Sequence, residues 1–486
     1  MTLKAFKEHE SVKVGIIGGG IAGSTAALKL SEMGLDVSLF EKRDSLVSGP
    51  PICHLHAGGN LYREISEAQC IELLRQSIDT VKLYRHTINI RPTVLAVPNS
   101  DSGSATEIVP RLNAIKAYYQ SLVNQDPTNK VLGEPESYFV EYSKEKLLSL
   151  KEKDQPKEPV TFDDWMIPFA QHTDLEQIKF PVIAVQEFGW SVFRLSSTVD
   201  LALESSSHCK VFLETEVQSV KQTNTGWELA YVHRNESKPE VVEIDYLINA
   251  SGYETGTVDD WVNKPKQRLV EFKAAYVTRW EECEQLWPEV IFHGPRATPA
   301  GMAQLTPYAN GVFQLHGMTE SITLFDDGLV ASTEKSSQPE LPNYLSNKIK
   351  HGWTVEQQSE RTNRAIQHMS KFIPSFSGAR SEGKPLFGAQ QVPGNDVTLR
   401  AADVSFEGSN YARMEIVKGS SALEAADRIA RHMTEQGFVG RGEQSFNWQI
   451  LDGIEESDVV GRAVELAKMR QYPDELALIA GVSKPI

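Results

Sequence analysis

Near the amino terminus lies a pattern that few folds accommodate. An apolar run from Val12 to Ile17 leads into Gly18-Gly19-Gly20-Ile21-Ala22-Gly23, and helical periodicity follows from Ser24 to Met33, closed by Gly34. This reads as strand, tight turn and helix. The glycines of G-x-G-x-x-G serve three different ends. Gly18 lets the chain turn sharply, Gly20 lets backbone approach a pyrophosphate, and Gly23 lets the helix pack closely on the strand. Ile21 and Ala22 open the helix, whose free N–H groups and positive dipole end face an anion. A second apolar run, Asp36 to Phe40, ends at Glu41, 18 residues beyond Gly23 and followed by Lys42. A carboxylate at that spacing accepts from both ribose hydroxyls and disfavours a 2′-phosphate. Strand, turn, helix and acid together predict a dinucleotide site.

Segments far downstream bear on which dinucleotide it is. A nicotinamide-binding domain normally continues as successive β-α-β units, whereas here the next nucleotide-side segments begin near position 185. A helix-like stretch covers Ser196 to Ser206, and strands are predicted over Val211 to Val220 and Gly226 to Val232. Tyr246-Leu-Ile-Asn249-Ala250-Ser251-Gly252 then gives an apolar strand ending in a small-residue turn. In these features the chain resembles the D-amino-acid oxidase and glycine oxidase superfamily of FAD-dependent oxidoreductases. The resemblance implies that the strand around Val217 lends backbone to the adenine side and that Ala250 and Gly252 lie close to FAD. Near the carboxyl terminus, Val397 to Phe406 reads as a strand containing Asp403, and Lys418-Gly419-Ser420-Ser421 opens a helix. In the wider glutathione-reductase-like class an aspartate holds a ribityl hydroxyl, which implies that role for Asp403; Ala402 replaces the usual glycine before it. A helix beginning near Gly419 and Ser420 would direct its N–H groups at the flavin.

The expected fold is therefore α/β: a glutathione-reductase-like Rossmann FAD-binding domain, discontinuous in sequence, with a second α+β substrate domain. Residues 1–92, 184–265 and 385–440 are assigned to the first, 93–183 and 266–384 to the second, and 441–486 to a C-terminal helical extension. In that extension the pattern predicts a helix over Ser457 to Arg470, with no indication of where it packs.

Between the second strand and Glu64 the chain reads Cys53-His54-Leu-His56-Ala57-Gly58-Gly59-Asn60. In the superfamily this stretch passes alongside the isoalloxazine, and the small Ala57 and Gly58 suit backbone that meets a flat ring. His56-Ala-Gly resembles the His-Ala-Ala-Gly of dimethylglycine and sarcosine dehydrogenases, where the histidine bonds covalently to flavin. Leu55-His56-Ala-Gly-Gly also resembles the Leu-x-His-Gly-Gly of glycerol-3-phosphate dehydrogenases, where the flavin is not covalently held. Both modes of contact stay open for His56. Cys53, His54 and His56 have no visible fourth partner for tetrahedral zinc, so no metal is expected.

On the substrate side, Gly294 to Tyr308 gathers turn formers around Arg296, Gln304, Thr306 and Tyr308, as a loop presenting polar groups does. Gly311 to Phe325 reads as one or two strands with a bend at Gly317. Dehydrogenation of an amino or hydroxy acid needs a cation for the carboxylate. Arg296, Arg413, Arg63 and Arg194 are the candidates. A hydroxyl substrate would also need a base, for which His316 and His56 have suitable chemistry.

Composition narrows the remaining classes. The 486 residues supply enough chain for two or three domains, and 49 basic against 65 acidic residues leave a formal charge of −16. That field repels nucleic-acid backbones, so no nucleic-acid partner is expected. Four scattered cysteines, no secretion signal over Met1 to Lys13 and no long apolar run point to the cytoplasm, with no transmembrane segment. The sequence thus predicts an FAD-dependent oxidoreductase acting on a small amino acid, hydroxy acid or secondary amine and passing electrons to oxygen or another acceptor. A flavoprotein that uses FAD non-oxidatively or structurally, including the tRNA-modifying type, is the alternative.

Overall fold

A computed structural model describes residues 11–50, 55, 57–60, 64–440 and 448–480. Two sheets organise them. The first has strand order Val404–Glu407, Tyr411–Met414, Tyr246–Asn249, Lys13–Ile17, Asp36–Phe40, Cys209–Phe212. Its central strands run parallel, and Ile17 stands level with both Phe40 and Asn249. Both faces of such a sheet are covered, which is why these strands are almost uniformly apolar. The helix Ile21–Glu32 covers one face together with Ala422–Glu435, and residues 22 to 31 of the first helix are buried throughout.

The predicted strand Val211 to Val220 is two strands in two different sheets. Cys209–Phe212 joins the parallel sheet, and Thr215–Gln222 pairs with Trp227–His233 in a three-stranded antiparallel layer. The chain turns between them at Glu214, with φ +49°. The helix predicted from Ser196 starts earlier, at Val192, because Ser191 accepts the Arg194 N–H as its cap.

The second sheet is mixed, and its organising element is the 12-residue strand Arg268–Arg279. This strand pairs antiparallel with Val312–Gly317 and, over eight residue pairs, with Leu386–Pro393. Residues 386–393, placed by the boundary at 385 in the first domain, thus pair into the second sheet, and the chain returns to the first sheet only after them. Gly311 to Phe325 contains one strand, which ends at Gly317 (φ +155°) and leads into turns. Helices Phe162–His172, Asn343–His351 and Val355–Met369 close this sheet over a separate core. Among the described residues no helix is long and apolar enough to cross a membrane.

The tail helix spans Glu456–Met469 and has a definite seat. Ala463, Leu466 and Ala467 join Leu476 and Ala477 in a buried cluster with Phe193 of the dinucleotide domain and Ala275, Val277, Val312 and Leu386 in or beside the second sheet. The extension bridges the two domains.

Candidate functional site

The carboxyl ends of the parallel strands open onto a cleft with a cavity volume near 520 Å³. Gly18, Gly20, Glu41, Lys42, Val217, Ala250 and Gly252 line it, all of them predicted cofactor contacts. Gly18 has φ +101°, and a Cβ there would lie 2.4 Å from the Ala250 carbonyl oxygen. A Cβ on Gly23 would come within 1.9 Å of the Gly18 oxygen, so Gly23 and the buried Ala22 shape the turn from beneath. A Cβ on Gly20 would meet nothing within 4 Å: it points into the cleft. The Glu41 carboxylate is anchored by the Gly19 and Arg43 N–H groups, both at 2.8 Å. Lys42 pairs with Glu254 at the rim.

Gly252 and Tyr253 also line a second cavity of about 310 Å³, so the two cavities adjoin at this turn and are taken together as one trench. Its near end is made by Ile21, Trp190, Gly419 and Ser420. Trp190 is fixed by donating Nε1–H to Thr87 Oγ1 at 2.8 Å, and its ring would meet a Cβ on Gly419 at 2.6 Å. The chain from Gly419 to Ser421 makes one tight turn before the helix Ala422–Glu435, and neither serine caps that helix. Three polar groups here are buried without a partner among the described residues: both amide atoms of Asn60, Oε1 of Gln391 and Oγ of Ser420. Buried polar atoms are normally satisfied, so a cluster of unsatisfied ones lining a cavity marks where a polar ligand belongs.

The far end belongs to the second sheet. Lys273, Gln304, His316, Met318, Gln390, Gln391 and Arg400 line it, and among the described residues no carboxylate does. His316 and Gln304 stand opposite one another in register. Gln304 donates Nε2–H to Glu289 at 2.5 Å, and Glu289 is in turn held by Arg91 at 2.6 Å in a fully buried pair. Lys273 pairs with Glu271 at 2.7 Å. Burial pushes the Lys273 pKa down and Arg400 adds to the fall, outweighing Glu271. Burial alone would raise Glu271, but Lys273 and Arg296 hold it below the ordinary carboxylate value.

Several expected site residues are placed elsewhere. Arg413 is buried against Asp259, and its Nη2–H donates to the Lys264 carbonyl at 2.7 Å; it ties the Thr255–Trp261 helix to the parallel sheet and does not reach the cavity. Tyr308 donates to Gln314 and packs beside the tail cluster. Arg194 binds the Ala477 carbonyl and Glu456. Asp403 turns to Arg428 and lines neither cavity; the strand that leads to the cleft is Tyr411–Met414, with Val404–Glu407 as its edge partner. Arg296 is one step back from the cavity, holding Glu271 and through it Lys273. His56 and Arg63 lie outside the described residues, as do Cys53 and His54. Sequence reasoning misses Lys273, which reads there as one of four charged residues in the strand Arg268–Arg279, two residues from the acid that pairs with it.

Ala57 and Gly58 are buried just behind the trench, Gly58 with φ +100° and its α-carbon side against the Cys70 carbonyl. Beneath them Glu187 Oε1 accepts from the Gly59 N–H and, at 2.9 Å, from the Tyr138 hydroxyl, while Oε2 has no partner among the described residues. Burial pushes the Glu187 carboxyl up to about 7 despite these donors. The folded protein therefore binds the proton more tightly than the unfolded chain, and this contribution, full below pH 4.5, is lost as pH rises to about 7. On the order of 3 kcal/mol is at stake across that window. Glu187→Gln is expected to flatten the decline of melting temperature between these pH values. An unchanged slope would mean that the carboxyl is already ionised in the fold.

Comparisons with known proteins agree with this architecture. A family model described as an NAD(P)-binding Rossmann-like domain matches residues 16–49. Among solved structures, glycine oxidase from Geobacillus kaustophilus superposes with a TM-score of 0.55 at 12% identity, covering 90% of this chain and 97% of that one. The glycerol-3-phosphate dehydrogenase from Bacillus halodurans, complexed with FAD, gives 0.55 at 13% identity over 95% of this chain and 72% of that one. L-proline dehydrogenase from P. horikoshii gives 0.53 at 15%, over 90% and 96%. A search of curated protein sequences gives no match. The likeness establishes a shared two-domain fold: a Rossmann-like dinucleotide domain joined to a second domain built on a mixed sheet.

Proposed function

We propose that the chain is an FAD-dependent oxidoreductase acting on a small anionic substrate, an amino acid, hydroxy acid or secondary amine bearing a carboxylate. The observation that carries this reading is the pair of adjoining cavities, one at the glycine turn and the other lined by cations and amides. FAD fits the residues present. Gly20 leaves room for the pyrophosphate, Glu41 offers acceptors to the ribose, and Val217, Val258 and Trp261 supply apolar walls at the adenine end. The unpartnered Ser420 and Asn60 groups would be satisfied by the polar edge of the ring system. When bound, FAD supplies a two-electron acceptor.

The chain's own residues do the remainder. Lys273 and Arg400 bind the carboxylate, Arg400 being steadied by donating to the Val397 and Leu399 carbonyls at 2.8 and 2.7 Å. The Arg91–Glu289 pair fixes the Gln304 amide, so that Gln304 presents one orientation to a bound substrate. His316, beside it, is the titratable group placed to take a proton from a substrate hydroxyl or amine. A pocket with no lining carboxylate among the described residues favours an anion over a cationic amine.

The test is anaerobic photometry of the purified protein against amino acids, hydroxy acids and N-methyl amino acids. Bleaching of a flavin band by a carboxylate-bearing member is expected. A protein that purifies colourless and takes up no FAD would end this reading.

A further inference from the structure

We propose that Arg470, in the C-terminal extension, is a positioning residue for dinucleotide retention, acting through the loop that closes over the glycine turn; this rests on the FAD reading above. The loop runs from Arg43 to Pro50. Val47 donates its N–H to the Gly19 carbonyl at 2.8 Å, and Leu46 packs where a Cβ on Gly19 would stand. Beyond that contact Ser48 and Gly49 line the dinucleotide cleft and Pro50 lines the adjoining cavity. Whatever fixes Leu46 and Val47 therefore fixes one wall of the trench.

Arg470 does this with its whole guanidinium. Nη2 donates to the Leu46 carbonyl at 2.7 Å and to Ser196 Oγ at 2.9 Å, Nη1 to the Val47 carbonyl at 3.1 Å, and Nε to Ser45 Oγ at 3.2 Å. Ser196 also donates to the Leu46 carbonyl, at 2.6 Å. The backbone gives an independent sign that the loop is held by force. Val47 has φ +48°, a left-handed conformation that a β-branched residue avoids and keeps only where its surroundings over-determine it. Arg470 grips the carbonyls on both sides of that peptide.

The extension is itself anchored at both domains. Arg194 binds the Ala477 carbonyl from the dinucleotide side, while Arg279 pairs with Glu475 at 2.9 Å and Tyr472 donates to the Pro385 carbonyl at 3.0 Å on the substrate side. Arg470 thus stands on a brace that spans the interface and presses the loop onto the turn.

The test uses the full chain as purified, comparing Arg470→Ala, Arg470→Lys and Arg462→Ala. Arg462 lies on the helix that Arg470 terminates but pairs with Glu204 and Asp200 and, among the described residues, makes no hydrogen bond to the loop. Two quantities are read: hydrogen exchange of a peptide containing Val47, and the rate of FAD release on dilution, followed by flavin fluorescence. Arg470→Ala is expected to accelerate both at least tenfold. Arg470→Lys, which keeps the charge without the fork, should fall between it and wild type, and Arg462→Ala should stay within twofold of wild type. Wild-type exchange and release in Arg470→Ala would overturn the proposal, as would an equal effect of Arg462→Ala. Should the alanine variant fail to fold, wild-type values in Arg470→Lys overturn it. A wild-type protein without flavin defeats the cofactor reading instead, and Val47 exchange still decides the role of Arg470 in the loop.

Discussion

Gly20→Val is expected to yield a folded protein that retains no dinucleotide. Gly20 occupies the N-cap of the first helix with φ −67° and ψ −179°, an extended conformation that valine adopts readily. A Cβ there meets no protein atom within 4 Å, so the branched side chain clashes with nothing in the fold and projects into the cleft. Replacing a glycine N-cap by a β-branched residue costs about 1 kcal/mol, a small share of the stability of a domain. The ligand loses far more, because backbone approach at this point is what admits a pyrophosphate. Gly23→Val provides the contrast, since its Cβ would sit 1.9 Å from the Gly18 carbonyl oxygen and the strand–helix packing would have to open. The ratio of flavin to protein absorbance and the melting temperature separate the two. Gly20→Val should lose the first and nearly keep the second, and Gly23→Val should lose both. Full flavin content in Gly20→Val would mean that the phosphates bind elsewhere.

The two glycines also show what the sequence can disclose. The first turn is local: strand, glycines, helix and Glu41 follow one another closely along the chain, and each is required by the same backbone geometry. The Tyr246–Gly252 strand and turn are legible for the same reason, as an apolar run with a small-residue end that pairs alongside the first strand. The pocket proposed for the substrate is assembled differently. Lys273 pairs with Gly388 across two strands whose pairing no local pattern announces, and both residues line the same cavity. Arg413 has the right chemistry for a carboxylate, but its partner Asp259, 154 residues away, takes it out of contention. Asp403 fails through topology: it sits beside an antiparallel edge strand, and its charge is spent on Arg428 of the covering helix. Charged residues are easy to read in a sequence, yet whether one faces a ligand or another side chain depends on contacts that sequence separation hides.

Lys273→Met is expected to weaken binding of small carboxylates by roughly 10- to 150-fold, the equivalent of about 1.5–3 kcal/mol for one charge-assisted contact. Methionine fills much the same space on the strand, and Glu271 keeps Arg296 as a partner, so no buried carboxylate is stranded. The pH response gives a second reading. Burial and Arg400 depress the pKa of Lys273, so its cation is surrendered at a lower pH than that of an exposed lysine. Carboxylate affinity in the wild type should therefore decline as pH rises through that depressed value, and Lys273→Met should lose this decline while keeping whatever Arg400 contributes. Titration of the flavin absorbance with acetate, lactate and glycolate across pH measures both effects. Equal affinities in the two proteins would move the anion site away from Lys273 and leave Arg400 to carry it. A weaker but equally pH-dependent site in Lys273→Met would assign the titration to another proton-carrying group that lines the same cavity, His316 or Lys418.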